Sequence, residues 1–133
     1  MILVDSSLLI EWLRKHLPPH RQIEPWIRSQ QAFTCGVVRA EVLRGVVSPA
    51  QRRKIELFFD VQVEIPCNQG VWRDVVDLAW LLDRQGTVLP LTDLIIGVCA
   101  RQVGATVITT DAHFSQIPGL QSSAELPPSL TVR

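Results

Sequence analysis

The stretch MILVDSSLLIEWL at residues 1–13 predicts the start of an α/β fold. Ile2 to Val4 are apolar and β-prone, and a Ser pair with a helix-like apolar run follows directly after Asp5. This pattern is typical of a buried strand that leads into a helix. We therefore expect Asp5 to lie at the carboxyl end of the first strand.

Strand and helix patterns alternate along the rest of the chain. Further strands are predicted at residues 32–35, 61–65 and 105–110, with a weaker edge strand within 120–126. Ser48 and Asn68 are expected to begin helices and Gly104 to end one. The segment HLPPHR at residues 16–21 is expected to be a loop because it contains two prolines. The alternation predicts one three-layer α/β/α domain over residues 1–133, with a mostly parallel central sheet.

Composition and charge narrow the class of protein. The chain has 133 residues, 47% of them hydrophobic, and can bury a core without disulfides. Thirteen Lys plus Arg balance thirteen Asp plus Glu, so any nucleic-acid binding must use a local basic patch. No uncharged apolar run approaches the roughly 18 residues of a membrane span. We expect a cytoplasmic protein whose Cys35, Cys67 and Cys99 are reduced and buried.

Two acidic residues each end a different predicted strand. Asp5 follows the first strand and Asp111 follows the strand at 105–110. The carboxyl ends of parallel strands share one edge of a sheet, where ligands of this architecture bind. We therefore expect both side chains at one site. Taken singly, either carboxylate could instead cap the helix that follows it.

Glu41 and Asp93 are the other two candidates among the thirteen acidic residues. Glu41 shares a helix face with Val38 and Val42, and a buried Glu is rare unless it is paired or bound to metal. The alternative is a side chain that reaches solvent at the edge of this face. Asp93 opens a helix and shares a face with Gly97, whose small size would let another element approach closely. Its alternative role is a favourable interaction with the helix dipole.

Four carboxylates in one apolar pocket would repel one another, which would raise their pKa values. A divalent cation relieves this repulsion. Ligation by oxygen alone, with neither His nor Cys in the set, favours Mg²⁺ or Mn²⁺ over zinc. The four acids therefore predict a site for a hard cation that suits phosphoryl transfer.

Four motifs carry a resemblance to a known family through their order and spacing. They are LVDSSLLIEWL at the start, VVRAEVLRGV in the middle, LPLTDLIIGVCARQVGA later and VITTDAHFSQIPGL near the end. Over nearly its whole length the chain resembles the PIN-domain ribonucleases, most closely the VapC-like toxins of toxin–antitoxin pairs. The resemblance implies a metal-dependent endoribonuclease whose catalytic acids are Asp5, Glu41, Asp93 and Asp111.

The resemblance also implies a role for each acid. Asp5 and Asp93 would be metal ligands, and Asp111 a ligand or an orienter of water. Glu41 would bind a second ion or act as a general base. Water would attack phosphorus in line, which gives products with a 5′-phosphate and a 3′-hydroxyl and no covalent enzyme intermediate.

Three further positions could support this chemistry. Ser6 stands where the family has Thr or Ser after its first Asp, and would hydrogen-bond a carboxylate or the metal's water. Thr109 matches the family's Thr at a strand end. His113 could be a proton shuttle, but it lies outside the family's acidic set, and a residue of a simple turn is the commoner explanation.

Partners are implied by the resemblance as well. They are an RNA substrate, a VapB-like antitoxin protein and a second copy of the chain in a homodimer, with no membrane partner. Trp12 and Trp26 flank the HLPPHR segment and could line an apolar groove for an antitoxin segment or stack on RNA bases.

Alternative functions differ in the sequence features they require. A PIN-type nuclease of RNA maturation or decay would share the site but have no antitoxin. A non-catalytic regulatory module such as a phosphoacceptor receiver needs an adjacent acidic pair and a Lys late in the sheet. Here VDSS contains one Asp, and the only lysines are Lys15 and Lys54. A haloacid-dehalogenase-type phosphatase needs an early DxD, where this chain has DSS.

Overall fold

Short strands alternate with helices in the computed structural model, which describes residues 1–128. The strands are β1 (Ile2–Val4), β2 (Ala32–Cys35), β3 (Val63–Ile65), β4 (Thr106–Ile108) and β5 (Ser122–Ser123). The helices are α1 (Ser6–Arg14), α2 (Pro19–Gln22), α3 (Glu24–Arg28), α4 (Gly36–Leu43), α5 (Pro49–Asp60), α6 (Gln69–Arg84) and α7 (Leu91–Val103). A 3-10 helix covers Ala112–Gln116. The last five residues of the predicted domain, 129–133, lie outside the described range.

The five strands form one sheet in the order β3-β2-β1-β4-β5, and every pairing within residues 1–128 is parallel. The first strand lies at the centre, where Ile2 pairs with Ala32 on one side and with Thr106 on the other. The carboxyl ends of β1, β2 and β4 therefore meet at one edge. Helices flank the sheet, so the predicted α/β architecture is confirmed.

The core is built around the central strand. Ile2 and Leu3 are fully buried, as expected for a parallel strand with a neighbour on each side. On α7, a Cβ added at Gly97 would lie 2.5 Å from Cδ1 of Ile117. The expected close approach of another element to this small residue is therefore confirmed.

The predicted helix boundaries follow from local capping. Ser48 Oγ accepts a hydrogen bond from the N–H of Gln51 at the start of α5, and Asn68 Oδ1 accepts one from Val71 at the start of α6. Gly104 ends α7 with φ = 70°, a left-handed conformation that glycine adopts without strain. All three predictions are confirmed.

Two predictions about local structure were wrong. Half of the expected loop HLPPHR is helical, because Pro19 occupies the first position of α2, where its missing N–H costs no hydrogen bond. The strand predicted from Val61 begins instead at Val63, since Val61 still ends α5 and is exposed.

The two tryptophans beside this segment are buried, so they do not line a groove. Trp12 and Trp26 are 9% and 7% exposed and belong to the core. A groove of about 590 Å³ does lie here, between α1 and α5, and its lining combines apolar side chains such as Leu13 and Phe58 with polar ones such as His16 and Lys54. Within residues 1–128, no helix combines the length and the apolar character needed to cross a membrane.

The three cysteines are free, and the fold brings them close to one another. Cys35 and Cys99 are buried as predicted, whereas Cys67 is only partly buried. The Sγ atoms of Cys67 and Cys99 are 3.8 Å apart. Burial raises the pKa of the Cys67 thiol.

Candidate active site

Asp5 lies where the central strand ends. Its N–H donates to the carbonyl of Ile108 at 2.9 Å, which fixes the end of β1 to β4. Its carboxylate is buried and accepts hydrogen bonds from Ser7 Oγ at 2.6 Å and Thr109 Oγ1 at 2.9 Å. Although Asp5 precedes α1, its side chain caps no N–H of that helix. The helix-cap alternative for Asp5 is therefore wrong.

Thr109 connects the ends of β1 and β4. Its buried hydroxyl donates to Asp5 and accepts from the N–H of Asp111 at 3.0 Å. The Asp111 carboxylate accepts in turn from the N–H of His113 at 2.9 Å, at the start of the 3-10 helix. Asp111 is thus a helix cap, as the alternative predicted, and it is also fixed beside Asp5 through one shared threonine.

Glu41 reaches the same edge from α4. Its Oε1 accepts a hydrogen bond of 2.9 Å from Ser6 Oγ, and the same hydroxyl lies 3.5 Å from Asp5 Oδ1. Glu41 is partly exposed, so its side chain faces the cluster from the edge of the apolar helix face. Ser6 is buried, and its hydroxyl lies between the carboxylates of Glu41 and Asp5.

Asp93, in the first turn of α7, faces His113. The imidazole Nδ1 lies 2.8 Å from Asp93 Oδ2 and 3.2 Å from Asp111 Oδ1. Partial burial raises the pKa of Asp93, and the nearby charges of Asp111 and Asp5 act in the same direction against the lowering effect of His113. The hydrogen bond to Asp93 raises the pKa of His113.

Hydrogen bonds therefore link Asp5, Asp111 and Asp93 at this edge of the sheet, and Glu41 joins them through Ser6, which donates to Glu41 and lies beside Asp5. This series of contacts runs from Glu41 through Ser6, Asp5, Thr109, Asp111 and His113 to Asp93. Within residues 1–128, the compact group of possible metal ligands is Asp93, Asp111 and His113, whose ligand atoms all lie within 4.8 Å of one another. With Asp5 next to this group, most of the donors are carboxylate oxygens, which fits a hard divalent cation.

The sequence interpretation missed one residue here and undervalued another. Ser7 makes the shortest hydrogen bond to Asp5. The available signal was its position, because a hydroxyl two residues after Asp5, in the first turn of α1, is near enough to donate to the carboxylate. His113 contacts two of the acids, whereas its sequence position suggested only a turn residue. Nothing in the local pattern DAHF predicts that contact, since Asp93 belongs to another helix.

Comparison with known proteins identifies the family. A family model described as the PIN domain matches residues 2–120. No curated protein sequence matches the chain.

Solved structures share the fold. A chain of VapBC2 from Rickettsia felis, bound to a DNA fragment from its promoter, is 21% identical with a TM-score of 0.76, and the match covers 92% of this chain and 98% of that one. DNA-bound VapBC from Salmonella typhimurium is 18% identical with a TM-score of 0.76, and the match covers 92% of this chain and 98% of that one. VapBC-1 from nontypeable Haemophilus influenzae is 23% identical with a TM-score of 0.71, and the match covers 92% of this chain and 97% of that one. Since the family model spans most of the sequence, this chain belongs to the PIN domain family.

Proposed function

We propose that this protein is a metal-dependent endoribonuclease and the toxin of a toxin–antitoxin pair. The observation that carries the proposal is the series of hydrogen bonds and close contacts that joins Glu41, Asp5, Asp111 and Asp93 at the carboxyl edge of a parallel sheet. Four acids in this arrangement are suited to binding Mg²⁺ or Mn²⁺ beside a phosphodiester.

The residues would divide the work by position. Asp93 and Asp111 would hold the cation together with Asp5, whose carboxylate is fixed by two hydroxyl donors. When bound, the cation would activate water and neutralise charge on the leaving oxygen. Glu41 is partly exposed and fixed through Ser6, so it would accept a proton from the attacking water as a general base.

A protein partner follows from the same comparison. The similar structures are VapBC complexes, which supports a VapB-like antitoxin as partner for this chain. A homodimer is proposed from the family resemblance alone. We place RNA in the substrate position because of the family resemblance in the four motifs. Since the net charge of the chain is zero, RNA would be held by local contacts around the site rather than by a general attraction.

Cleavage of RNA by purified protein free of any partner tests the nuclease. We expect cleavage with Mg²⁺ or Mn²⁺, products that carry a 5′-phosphate, and loss of cleavage with excess chelator or in Asp93→Asn. The matched control is Asp77→Asn, an exposed acid on α6, which should cut as the wild type does. Cleavage that persists in Asp93→Asn would disprove the proposed site.

Growth tests separate a toxin from a nuclease of RNA maturation or decay. Expression of the wild type should arrest growth, Asp93→Asn should not, and a small neighbouring gene for a DNA-binding protein should restore growth. Active nuclease without growth arrest would favour the maturation or decay function.

A further inference from the structure

His113 lies between two of the proposed metal ligands. Its Nδ1 is 2.8 Å from Asp93 Oδ2 and 3.2 Å from Asp111 Oδ1. The imidazole is 41% exposed, whereas the partly buried Asp93 is 15% exposed, so the ring is the more exposed partner of the pair. An imidazole is a hydrogen-bond partner for carboxylates, but it is also the commonest nitrogen ligand of metal ions in proteins.

The separations match those between neighbouring ligands of one ion. In an octahedral site with bonds of about 2.1 Å, adjacent ligand atoms are about 3 Å apart. The two distances from Nδ1 are close to this value, and all three potential ligand atoms lie within 4.8 Å of one another. One nitrogen and two carboxylate oxygens therefore already lie close enough together to bind one ion.

Local structure keeps the imidazole at this position. The N–H of His113 donates to Asp111 Oδ1, and the N–H of Asp111 donates to Thr109. The backbone that carries His113 is thus fixed to the same carboxylate that its ring faces. The next residue, Phe114, is fully buried and secures the 3-10 helix in the core.

We propose that His113 Nδ1 is a ligand of the divalent cation held by Asp93 and Asp111, and that it makes the site prefer Mn²⁺ over Mg²⁺. The proposal rests on the proposed function, because it assigns a further ligand to the same site. It replaces the expectation of ligation by oxygen alone with a mixed nitrogen and oxygen set.

The preference follows from the chemistry of the donor. Mg²⁺ is bound almost entirely by carboxylates, carbonyls and water. Mn²⁺ shares this preference for oxygen, but as a first-row transition-metal ion it also accepts a nitrogen donor, although more weakly than Fe²⁺ or Zn²⁺. One imidazole among carboxylates therefore favours Mn²⁺ without excluding Mg²⁺. The neutral ring is the form that binds metal.

Pulsed EPR of bound Mn²⁺ tests the ligand directly. The wild-type protein is prepared with histidine in the ¹⁴N and ¹⁵N forms, and we expect a nitrogen coupling that changes with the isotope. His113→Asn should lose this coupling, while His20→Asn, at an exposed position on α2, should keep it. The isotope comparison on the wild type alone decides the matter if His113→Asn does not fold. A histidine-free Mn²⁺ signal in the wild type overturns the proposal.

Calorimetric titration with Mn²⁺ and with Mg²⁺ tests the preference. In His113→Asn we expect Mn²⁺ affinity to fall by at least about 10-fold, since loss of a residue that only supports a ligand already costs this much, and Mg²⁺ affinity to change far less. Equal losses for both ions, or no binding of either ion to the wild type, would overturn the proposal.

RNA cleavage measured on the same samples separates this proposal from the proposed function. RNA cleavage without a histidine coupling to Mn²⁺ would refute His113 as a ligand and support the nuclease function. A histidine coupling without RNA cleavage would support His113 as a ligand and refute the nuclease function.

Discussion

Thr109 Oγ1 donates a 2.9 Å hydrogen bond to Asp5 Oδ2, and the two residues are 104 positions apart in the chain. The same hydroxyl accepts from the N–H of Asp111. The Thr109 hydroxyl therefore hydrogen-bonds two acidic residues at once, as a donor to Asp5 and as an acceptor from the backbone of Asp111. Since the hydroxyl and the Asp5 carboxylate are both buried, neither partner can turn to bulk water if the other is removed.

Thr109→Val should destabilise the protein. The substitution keeps the side-chain shape but leaves the Asp5 carboxylate and the Asp111 N–H short of a partner, at a cost of about 1 to 3 kcal/mol in the free energy of unfolding. Denaturant unfolding of wild type and variant measures the difference. We also expect weaker metal binding, because Asp5 is no longer fixed.

A matched control for this substitution exists in β2. Thr34 is also buried, but its Oγ1 has no hydrogen-bond partner within residues 1–128. Thr34→Val should leave the free energy of unfolding unchanged or raise it by up to about 1 kcal/mol, since an unpaired hydroxyl is unfavourable in the core. Equal losses in the two variants would contradict the role given to Thr109.

Asp93→Asn should raise the melting temperature of the metal-free protein while it abolishes cleavage. The raised pKa of Asp93 means that burial and the neighbouring acids disfavour its charge more than His113 favours it. A neutral amide of the same shape removes that penalty. Thermal melting in chelator measures the effect, with Asp77→Asn as the exposed control.

Addition of Mg²⁺ or Mn²⁺ should reverse this order of stability. Wild type should gain melting temperature with ion concentration, because an ion that binds only the folded state stabilises it. Asp93→Asn should gain little. A wild-type melting temperature that is insensitive to both ions would contradict the assignment of these acids as ligands.

His113 should stabilise the metal-free protein at low pH only. Its pKa in the folded state is raised above the ordinary value of 6.5 by the hydrogen bond to Asp93. The contribution is therefore fully present below pH 6.5 and is lost as the pH rises through the raised pKa. Melting of wild type and His113→Asn in chelator should differ at pH 5.5 to 6, about one unit or less below the ordinary His pKa, and converge at alkaline pH. A difference that grows with pH would contradict this, and His20→Asn should show no such trend.

Gly97→Ala should be destabilising although alanine favours helix. Helix propensity would add about 1 kcal/mol, but the new Cβ would lie 2.5 Å from Cδ1 of Ile117, and overpacking of this kind costs about 1 to 3 kcal/mol. Ile117→Val removes that methyl group. The loss in the free energy of unfolding should therefore be smaller in the double variant than the sum of the losses in the two single variants, as measured in a double-mutant cycle. Gly36→Ala, where the added Cβ meets no atom within 4 Å, is the control.

The elements that the sequence predicted well depend on local chemistry. Ser48, Asn68 and Gly104 define helix ends through side-chain caps or a left-handed backbone, and each signal lies within a few residues. The positions of Asp5 and Asp111 were predictable because both follow apolar strands of a parallel sheet. Pro19 was misassigned because a proline pair fits a loop as well as the first turn of a helix.

Contacts between distant elements were beyond local patterns. His113 meets Asp93 only because the 3-10 helix packs against the start of α7, and the approach of Cys67 to Cys99 depends on how α7 packs beside the sheet. Neither contact leaves a trace in residue spacing. The mixed donor set at the site therefore became visible only with the fold.

The central position of β1 has a consequence for the order of synthesis. Its second neighbour, β4, leaves the ribosome about 100 residues after it, and at roughly 5 to 20 residues per second this takes roughly 5 to 20 s. Until then Asp5 has neither Thr109 beside it nor Asp93 and Asp111 within reach. The acid cluster is completed only when the residues up to Asp111 have been translated, so a chain that is terminated before Thr109 carries no assembled site.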